Sequence, residues 1–272
     1  MWDRENEDMH NITDGCIFNG KGQLYISHLP GDEQMRELIR ETGCGVESIE
    51  FSMADSLNRL SDTIESYRKR MKYMETDRLL LHGPFLDLNP MAFDNLVLDA
   101  TRFRYEQCYQ AAEALGARKI IYHTCYIPKV YMLIGWADRV VDFYNHFLEG
   151  KEGIQILMEN VQDPEIDPIL EVAERITHPD FGLCLDVGHA YCYSGYSPVE
   201  WAEKLGNHVK HVHLHDNDGT ADSHLALGEG SAPAAESLAV VFDASPDATC
   251  TIECSAAESV RKSVHWLGKV SL

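Results

Sequence analysis

Side chains that can bind a metal ion recur near the ends of short aliphatic runs in this chain. Six short runs of mostly aliphatic residues, from RLLLH at 78–82 to CTIE at 250–253, each end close to a histidine or a carboxylate. These residues are His82, His123, Glu159, Asp186 with His189, His213 and Glu253. Nitrogen and carboxylate-oxygen ligands of this kind hold zinc, manganese or cobalt. Because a buried carboxylate is costly without a cation or a partner, a divalent-metal site is the simplest explanation of the pattern.

A loop sequence with further metal-capable groups, HDNDGTADSHLALGEGS, follows the run that contains His213. Asp222 and His224 stand two positions apart in it. Alternate side chains share one face of an extended segment, so this pair could close on a metal ion. The glycines at 219, 228 and 230 are interpreted as turn residues rather than phosphate contacts.

Four polar residues are candidate substrate contacts. His211 and His215 lie two positions before and after His213, so all three share the inward face of one strand. Each of the two either contacts substrate or supports a metal ligand, and a packed structural histidine is the alternative. Glu50, expected to face inward near the end of the second strand, either touches substrate or pairs with a neighbour. His189 is expected to orient a substrate hydroxyl if it is not a ligand.

The elements that must position these side chains are eight β-rich runs separated by helical patterns. This alternation is typical of βα units with a parallel sheet, and eight units can close a (β/α)8 TIM barrel. All strands of such a barrel end at one mouth, so residues distant in sequence would converge there. The runs cover 24–27, 46–51, 78–82, 119–123, 154–159, 181–186, 209–215 and 250–253. The predicted helices cover 33–42, 56–75, 91–115, 130–148, 166–176, 198–205, a short stretch near 231–243 and a last one through 270.

Length and charge limit the domain organisation and the partners. The 272 residues suit one α/β barrel domain, with residues 1–22 as an extension before the first strand. Neither a long apolar run nor a signal-peptide pattern is present, so we expect a cytoplasmic protein that does not bind membranes. The net charge of −21 disfavours a nucleic-acid partner. The sequence leaves a homo-oligomer open.

The cysteines and the missing motifs narrow the chemistry further. Eight cysteines form no CxxC pair, which favours reduced, mostly buried thiols. Period-two alternation should turn Cys250 and Cys254 towards the helices and Thr251 and Glu253 inwards. No lysine lies at a predicted strand end, which disfavours a Schiff base. Because Rossmann and Walker motifs are also missing, we expect no organic cofactor.

Two segments, LDVGHA at 185–190 and HLHDNDGT with DSHLALGEG at 213–230, resemble those of the xylose isomerase-like TIM barrels. That superfamily contains sugar isomerases, sugar epimerases and endonuclease IV, and the resemblance spans Leu24 to the C-terminus. The one-metal set of the ketose 3-epimerases looks like Glu159, Asp186, His213 and Glu253, commonly with manganese. The trinuclear zinc set of endonuclease IV looks like those four together with His82, His123, His189, Asp222 and His224. The resemblance therefore implies one to three divalent ions.

The resemblance implies two enzymatic hypotheses. In the first, the chain is a sugar or sugar-phosphate isomerase or epimerase that works through an enediolate, with Glu159 and Glu253 as the acid/base pair. In the second, it is a zinc-dependent phosphoesterase or abasic-site endonuclease. A non-catalytic barrel that binds metal or sugar is the third alternative. The negative charge and the lack of an Arg- or Lys-rich loop near the strand ends favour the first hypothesis over the second.

Overall fold

The computed structural model of this chain describes residues 23–270, so the predicted extension at 1–22 and Cys16 lie outside the described residues. Eight parallel strands pair in sequence order, and β8 closes on β1. They are β1 (Leu24–Ser27), β2 (Gly45–Ser48), β3 (Leu79–His82), β4 (Lys119–His123), β5 (Gln155–Glu159), β6 (Phe181–Asp186), β7 (Val209–Leu214) and β8 (Thr249–Ile252). The predicted (β/α)8 TIM barrel is confirmed.

Ten α-helices among the described residues surround the strands. They are α1 (Asp32–Thr42), α2 (Ala54–Asn58), α3 (Leu60–Met74), α4 (Asn95–Leu115), α5 (Trp136–Leu148), α6 (Asp167–Arg175), α7 (Val187–Tyr193), α8 (Pro198–Leu205), α9 (Ala234–Ala244) and α10 (Ala257–Leu267). Within the same residues, no helix is both long enough and apolar enough to cross a membrane.

Several predicted boundaries are wrong, for local reasons. The predicted helix over 56–75 is two helices, because Arg59 leaves the helical conformation between α2 and α3. Helix α4 begins at Asn95 rather than residue 91, since the Asp94 side chain caps it by accepting a hydrogen bond from the Leu96 amide. Helix α5 begins six residues later than predicted, after Gly135 in the left-handed conformation. The last helix ends at Leu267 rather than at 270.

The barrel interior is divided into an apolar layer and an ionisable layer. Tyr25, Leu80, Ile121, Leu157 and Cys184 pack together as one buried inner cluster. The larger core lies between strands and helices and includes Cys250 and Cys254, as the period-two argument predicted. Buried histidines and carboxylates occupy the ends of the strands above the apolar layer. The fold therefore directs the ionisable side chains to one mouth.

Candidate metal centre

The centre of the mouth is a cluster of one histidine and three carboxylates, all buried. His213 Nδ1 lies 3.1 Å from Glu159 Oε1, 3.5 Å from Glu253 Oε1 and 3.9 Å from Asp186 Oδ2. These residues end or follow β5, β6, β7 and β8, so the barrel register alone brings them together. We refer to this set as the central cluster.

A second donor set lies on one side of the central cluster and shares Glu159 with it. The Nε2 atoms of His82 and His123 are 3.1 Å apart, and each lies 3.6 Å from Glu159 Oε2. Because the two oxygens of Glu159 face different sets, this carboxylate could contribute one ligand atom to each set.

A third donor set, His189, His215, Asp222 and His224, lies on the other side. Asp222 Oδ2 is 3.3 Å from His189 Nε2, and Asp222 Oδ1 is 3.4 Å from His224 Nε2. The expectation of an extended segment is wrong at His224, whose φ of 45° is left-handed. Its ring stacks on His215 with centroids 3.8 Å apart, and this packing holds the uncommon backbone conformation.

Hydrogen bonds from Nδ1 to backbone carbonyls orient the rings of three of these histidines. The Nδ1 atoms of His82, His189 and His224 donate to the carbonyls of Gly83, Asn160 and Glu253, respectively. A carbonyl only accepts, so Nδ1 carries a proton in each of these rings, and Nε2 is the nitrogen that would bind a metal ion. The carbonyl partners thus select the histidine tautomer that a metal ligand requires.

Buried polar atoms without a hydrogen-bond partner mark the space between these side chains. Among the described residues they include His213 Nδ1, Glu159 Oε2, Asp186 Oδ2, His215 Nε2 and Asp222 Oδ1. Buried polar atoms are almost always paired, since leaving one unpaired is costly. The unpaired atoms here are all nitrogens or carboxylate oxygens that face one another. A divalent cation would satisfy them, so the residues fit a metal centre.

The titration behaviour of the site reflects its dense negative charge. Burial raises the pKa of Glu253, and the neighbouring Glu159 and Asp186 carboxylates raise it further. Burial lowers the pKa of His189, but Asp186 and Asp222 overcome this effect and hold the pKa well above its ordinary value. Burial lowers the pKa of His123 to about 3, which keeps its ring neutral. The site as a whole attracts positive charge.

Glu47 is a functional candidate that sequence reasoning missed. Its fully buried carboxylate lies 3.1 Å from His213 Nε2 through Oε1, and Oε2 accepts a 2.6 Å hydrogen bond from Thr251 Oγ1. His211 lies below His213, where its ring contacts the hydroxyls of Thr249 and Thr251. Glu47 thus accepts the proton of His213 Nε2, which leaves Nδ1 free to face the central cluster. The sequence signal that could have identified it is the glutamate of VES at 46–48, because the alternation of side chains along the strand directs this residue inward.

The prediction that Glu50 faces inward at the end of β2 is wrong. Strand β2 ends at Ser48, and Glu50 begins a short 3₁₀ turn. Its carboxylate accepts hydrogen bonds from Arg70 at 2.8 Å and from Ser56 at 3.0 Å. The turn forms because Ser48 and Ser52 bond its backbone, so the side chain leaves the barrel axis. Glu50 pairs with neighbours, which was the stated alternative.

Close packing and tight turns explain the glycines that lie near the donor sets. Gly188 packs so closely on His215 that a Cβ atom would lie 2.0 Å from His215 Cε1. Asp216 accepts hydrogen bonds from the amides of Gly228, Gly230 and Ala232, which folds the loop back on β7. Gly228 has a left-handed φ of 84°. Gly228 therefore lies in a turn, as predicted, and the loop holds Asp222 and His224 near the mouth.

Most of the chain matches a known protein family. Residues 37–270 match the family model of the xylose isomerase-like TIM barrel. The chain belongs to this family. The resemblance noted in the sequence is thereby confirmed.

Two proteins of other organisms are similar to this chain in sequence. An uncharacterized protein of Methanocaldococcus jannaschii is 30% identical over 210 residues, which cover 68% of this chain and 69% of that protein. A probable endonuclease 4 of Mesomycoplasma hyopneumoniae is 21% identical over 206 residues, or 66% of this chain and 70% of that protein.

Two solved structures share the architecture. A D-tagatose 3-epimerase-like protein has a TM-score of 0.75 at 24% identity, with 91% of this chain and 96% of the other covered. A Thermus thermophilus protein soaked with zinc chloride has a TM-score of 0.70 at 23% identity and covers 91% and 97%. At these identities the likeness shows the xylose isomerase-like fold alone.

Proposed function

We propose that this chain is a divalent-metal-dependent sugar isomerase or epimerase, with Glu159 and Glu253 as its proton-transfer pair. The observation that carries the proposal is that both glutamates face the same nitrogen, His213 Nδ1, from β5 and from the end of β8. Strands three positions apart in a closed eight-stranded barrel approach the mouth from different sides. Two carboxylates so placed can serve different faces, or adjacent carbons, of one bound substrate.

The metal held by Glu159, Asp186, His213 and Glu253 would supply Lewis-acid polarisation of a substrate carbonyl. One glutamate then removes a proton from the carbon beside that carbonyl. The other delivers a proton to the opposite face or to the adjacent carbon. Positioned proton transfer of this kind contributes about a hundred- to ten-thousand-fold in rate. His189 is in reach to orient a substrate hydroxyl.

A second candidate, a metal-dependent phosphoester hydrolase, is favoured by the two outer donor sets. Three adjacent donor sets, two of which share Glu159, suit several cations, which is the arrangement that hydrolytic centres use to hold a nucleophile and a leaving oxygen. The similarity to a probable endonuclease 4 supports the same chemistry. The net charge of −21 opposes a nucleic-acid substrate, because phosphate backbones bind clustered cations.

Metal content and turnover test the proposal together. Protein purified without added metal is analysed for manganese, cobalt and zinc by elemental analysis. It is then incubated, with each metal, with a panel of ketoses, aldoses and their phosphates. Parallel reactions contain bis(p-nitrophenyl) phosphate and duplex DNA with an abasic site. Glu253→Gln is the test variant, because it keeps the side-chain volume but cannot transfer the proton.

We expect isomerisation or epimerisation of a sugar, with a loss of at least about a hundred-fold in Glu253→Gln. Solvent deuterium should enter the product at the carbon that receives the proton, which is the same carbon in an epimerisation and the adjacent carbon in an isomerisation. Three bound ions with phosphoester cleavage and no sugar turnover would replace the first candidate with the second. Tight metal and sugar binding without turnover would leave the chain a non-catalytic binding barrel and would overturn both.

A further inference from the structure

An apolar groove opens beside the donor sets, between the loops that follow β3 and β4. It encloses a cavity of about 680 Å³, and His123 lies at its inner end. This volume is within the range of sites for small organic molecules. Aromatic and aliphatic side chains form most of the wall, including Phe85, Tyr126 and Ile127. A molecule bound at the donor sets could therefore extend into this groove.

The outer rim of the groove exposes large apolar side chains to solvent. Phe93 is 73% exposed and Leu86 is 58% exposed. Single exposed apolar residues are ordinary, but a contiguous set around a cavity marks a place that binds another apolar surface. The groove therefore suits an apolar ligand group better than a bare sugar, whose hydroxyls need polar partners.

The carboxylates along the groove disfavour ligands that would place a phosphate group in it. The charged carboxylates that line it are Asp87 and Asp94, and no lysine or arginine is among the described lining residues. Arg139 lies nearby, but its guanidinium stacks on Phe93 at 4.1 Å and its Nε donates to the Met91 carbonyl. A phosphate in the groove would meet the like charge of these two carboxylates, and the neighbouring cation, Arg139, already stacks on Phe93.

The groove and the donor sets form one continuous site. The Phe85 ring stacks on the His123 ring with centroids 4.1 Å apart. His123 Nε2 in turn lies 3.6 Å from Glu159 Oε2. Because the inner end of the groove is itself a wall of the second donor set, the occupant that fits both is one molecule with a polar end and an apolar end.

We propose that the substrate is a polyhydroxylated head group that carries an uncharged aromatic or aliphatic substituent, and that the groove holds this substituent. The proposal rests on the proposed sugar chemistry and narrows its substrate class. The head group lies at the central cluster, and the substituent leaves it past His123 and Phe85. Sugar phosphates whose phosphate would extend into the groove are disfavoured.

Two locked glycosides test the groove without turnover, because neither has a free carbonyl. Affinities of 1-naphthyl and methyl β-D-glucopyranoside for the manganese-loaded protein are measured by isothermal titration calorimetry. We expect the naphthyl compound to bind at least about tenfold more tightly, because its ring buries apolar area. Ile127→Asp should abolish this difference. Ile134→Asp is the matched control, because Ile134 is on the same loop, is 85% exposed and does not line the groove.

Several outcomes would overturn the groove proposal. They are equal affinities of the two glycosides, no measurable binding of the naphthyl compound, an equal effect of both aspartate variants, or tighter binding of glucose 6-phosphate than of the naphthyl compound. A change of sedimentation coefficient in Ile127→Asp with unchanged naphthyl affinity would instead assign the groove to a second copy of the chain. Melting temperatures of both variants verify that they fold.

The two proposals fail in different ways. Preferential naphthyl binding without turnover of any sugar contradicts the proposed function and supports the groove. Turnover of unsubstituted sugars without any naphthyl preference supports the function and contradicts the groove.

Discussion

Among the individual residues, Glu47 should have the clearest indirect influence on the candidate metal centre. A carboxylate that accepts the outer proton of a ligating histidine fixes its tautomer and raises its basicity. Glu47 does this to His213 while Thr251 holds its second oxygen. The whole arrangement is fully buried, so no water competes for these hydrogen bonds.

Glu47→Gln should therefore weaken metal binding by at least about tenfold, because the amide is a poorer acceptor and carries no charge. Competition with a coloured chelator for zinc or manganese measures the affinity. Glu50→Gln is the control, since Glu50 pairs with Arg70 outside the cluster. Equal metal affinities of the two folded variants would show that Glu47 does not act through His213.

Asp163 is a buried residue whose carboxyl group affects the stability of the protein through its ionisation. Burial raises its pKa from 3.8 to about 6, although Thr124 Oγ1 and the Val161 amide donate to it. The folded state binds the proton more tightly than the unfolded chain. Ionisation thus costs stability as the pH rises from about 4 to 6, by about 3 kcal/mol in total.

Asp163→Asn removes this cost and keeps an acceptor oxygen for both donors. We expect the variant to be more stable than the wild type at pH 7 and of similar stability at pH 4. Urea unfolding at the two pH values measures the difference. The exposed Asp142→Asn is the control and should show no pH-dependent difference. A constant difference between wild type and Asp163→Asn at both pH values would disprove the assignment.

At the scale of elements, short turns decide where the donors stand. Asp186 ends β6 and also caps α7, because its Oδ1 accepts a 2.6 Å hydrogen bond from the His189 amide. This one hydrogen bond fixes the positions of two potential metal ligands, Asp186 and His189. Gly188 lies between them, and the His215 ring fills the space that a Cβ would need.

Gly188→Ala should destabilise the protein by about 1–3 kcal/mol, because neither the buried His215 ring nor the backbone can move freely. It should also lower metal occupancy, since His189 and His215 belong to the same donor set. Gly195→Ala is the matched control, because a Cβ there meets no atom within 4 Å. Urea unfolding and elemental analysis measure both effects. Wild-type metal content in a folded Gly188→Ala variant would contradict this account of the turn.

At the scale of the whole molecule, the mouth concentrates carboxylates that the fold must hold together. Metal binding to the folded state alone stabilises it by about 2.7 kcal/mol at a free metal concentration of one hundred times Kd. For a barrel of this size that corresponds to roughly 5–10 °C in melting temperature.

We therefore expect EDTA to lower the melting temperature and added manganese or zinc to restore it. Differential scanning calorimetry measures the shift. Asp186→Asn should lose most of the metal-dependent shift, because Asp186 contacts both the central cluster and the third donor set. An identical melting temperature with EDTA and with metal would refute a metal centre in the native protein.

The sequence by itself determined the barrel and the membership of the mouth. Closure of the barrel brings every strand end to one opening. The residues at the predicted strand ends must therefore lie at that opening, and they are His82, Glu159, Asp186, His213 and Glu253. Local patterns also predicted the turn glycines and the outward cysteines. These features depend on short-range periodicity, which can be read along the chain.

Only the tertiary structure decided how the donors divide and what supports them. The role of Glu47 depends on its distance from His213, 166 residues away in sequence. Glu50 was misplaced because two serine hydroxyls end β2 earlier than its composition suggests. The groove exists because two loops, after β3 and β4, meet beside His123. Register, turn geometry and loop packing are long-range properties, so no local pattern in the chain carries them.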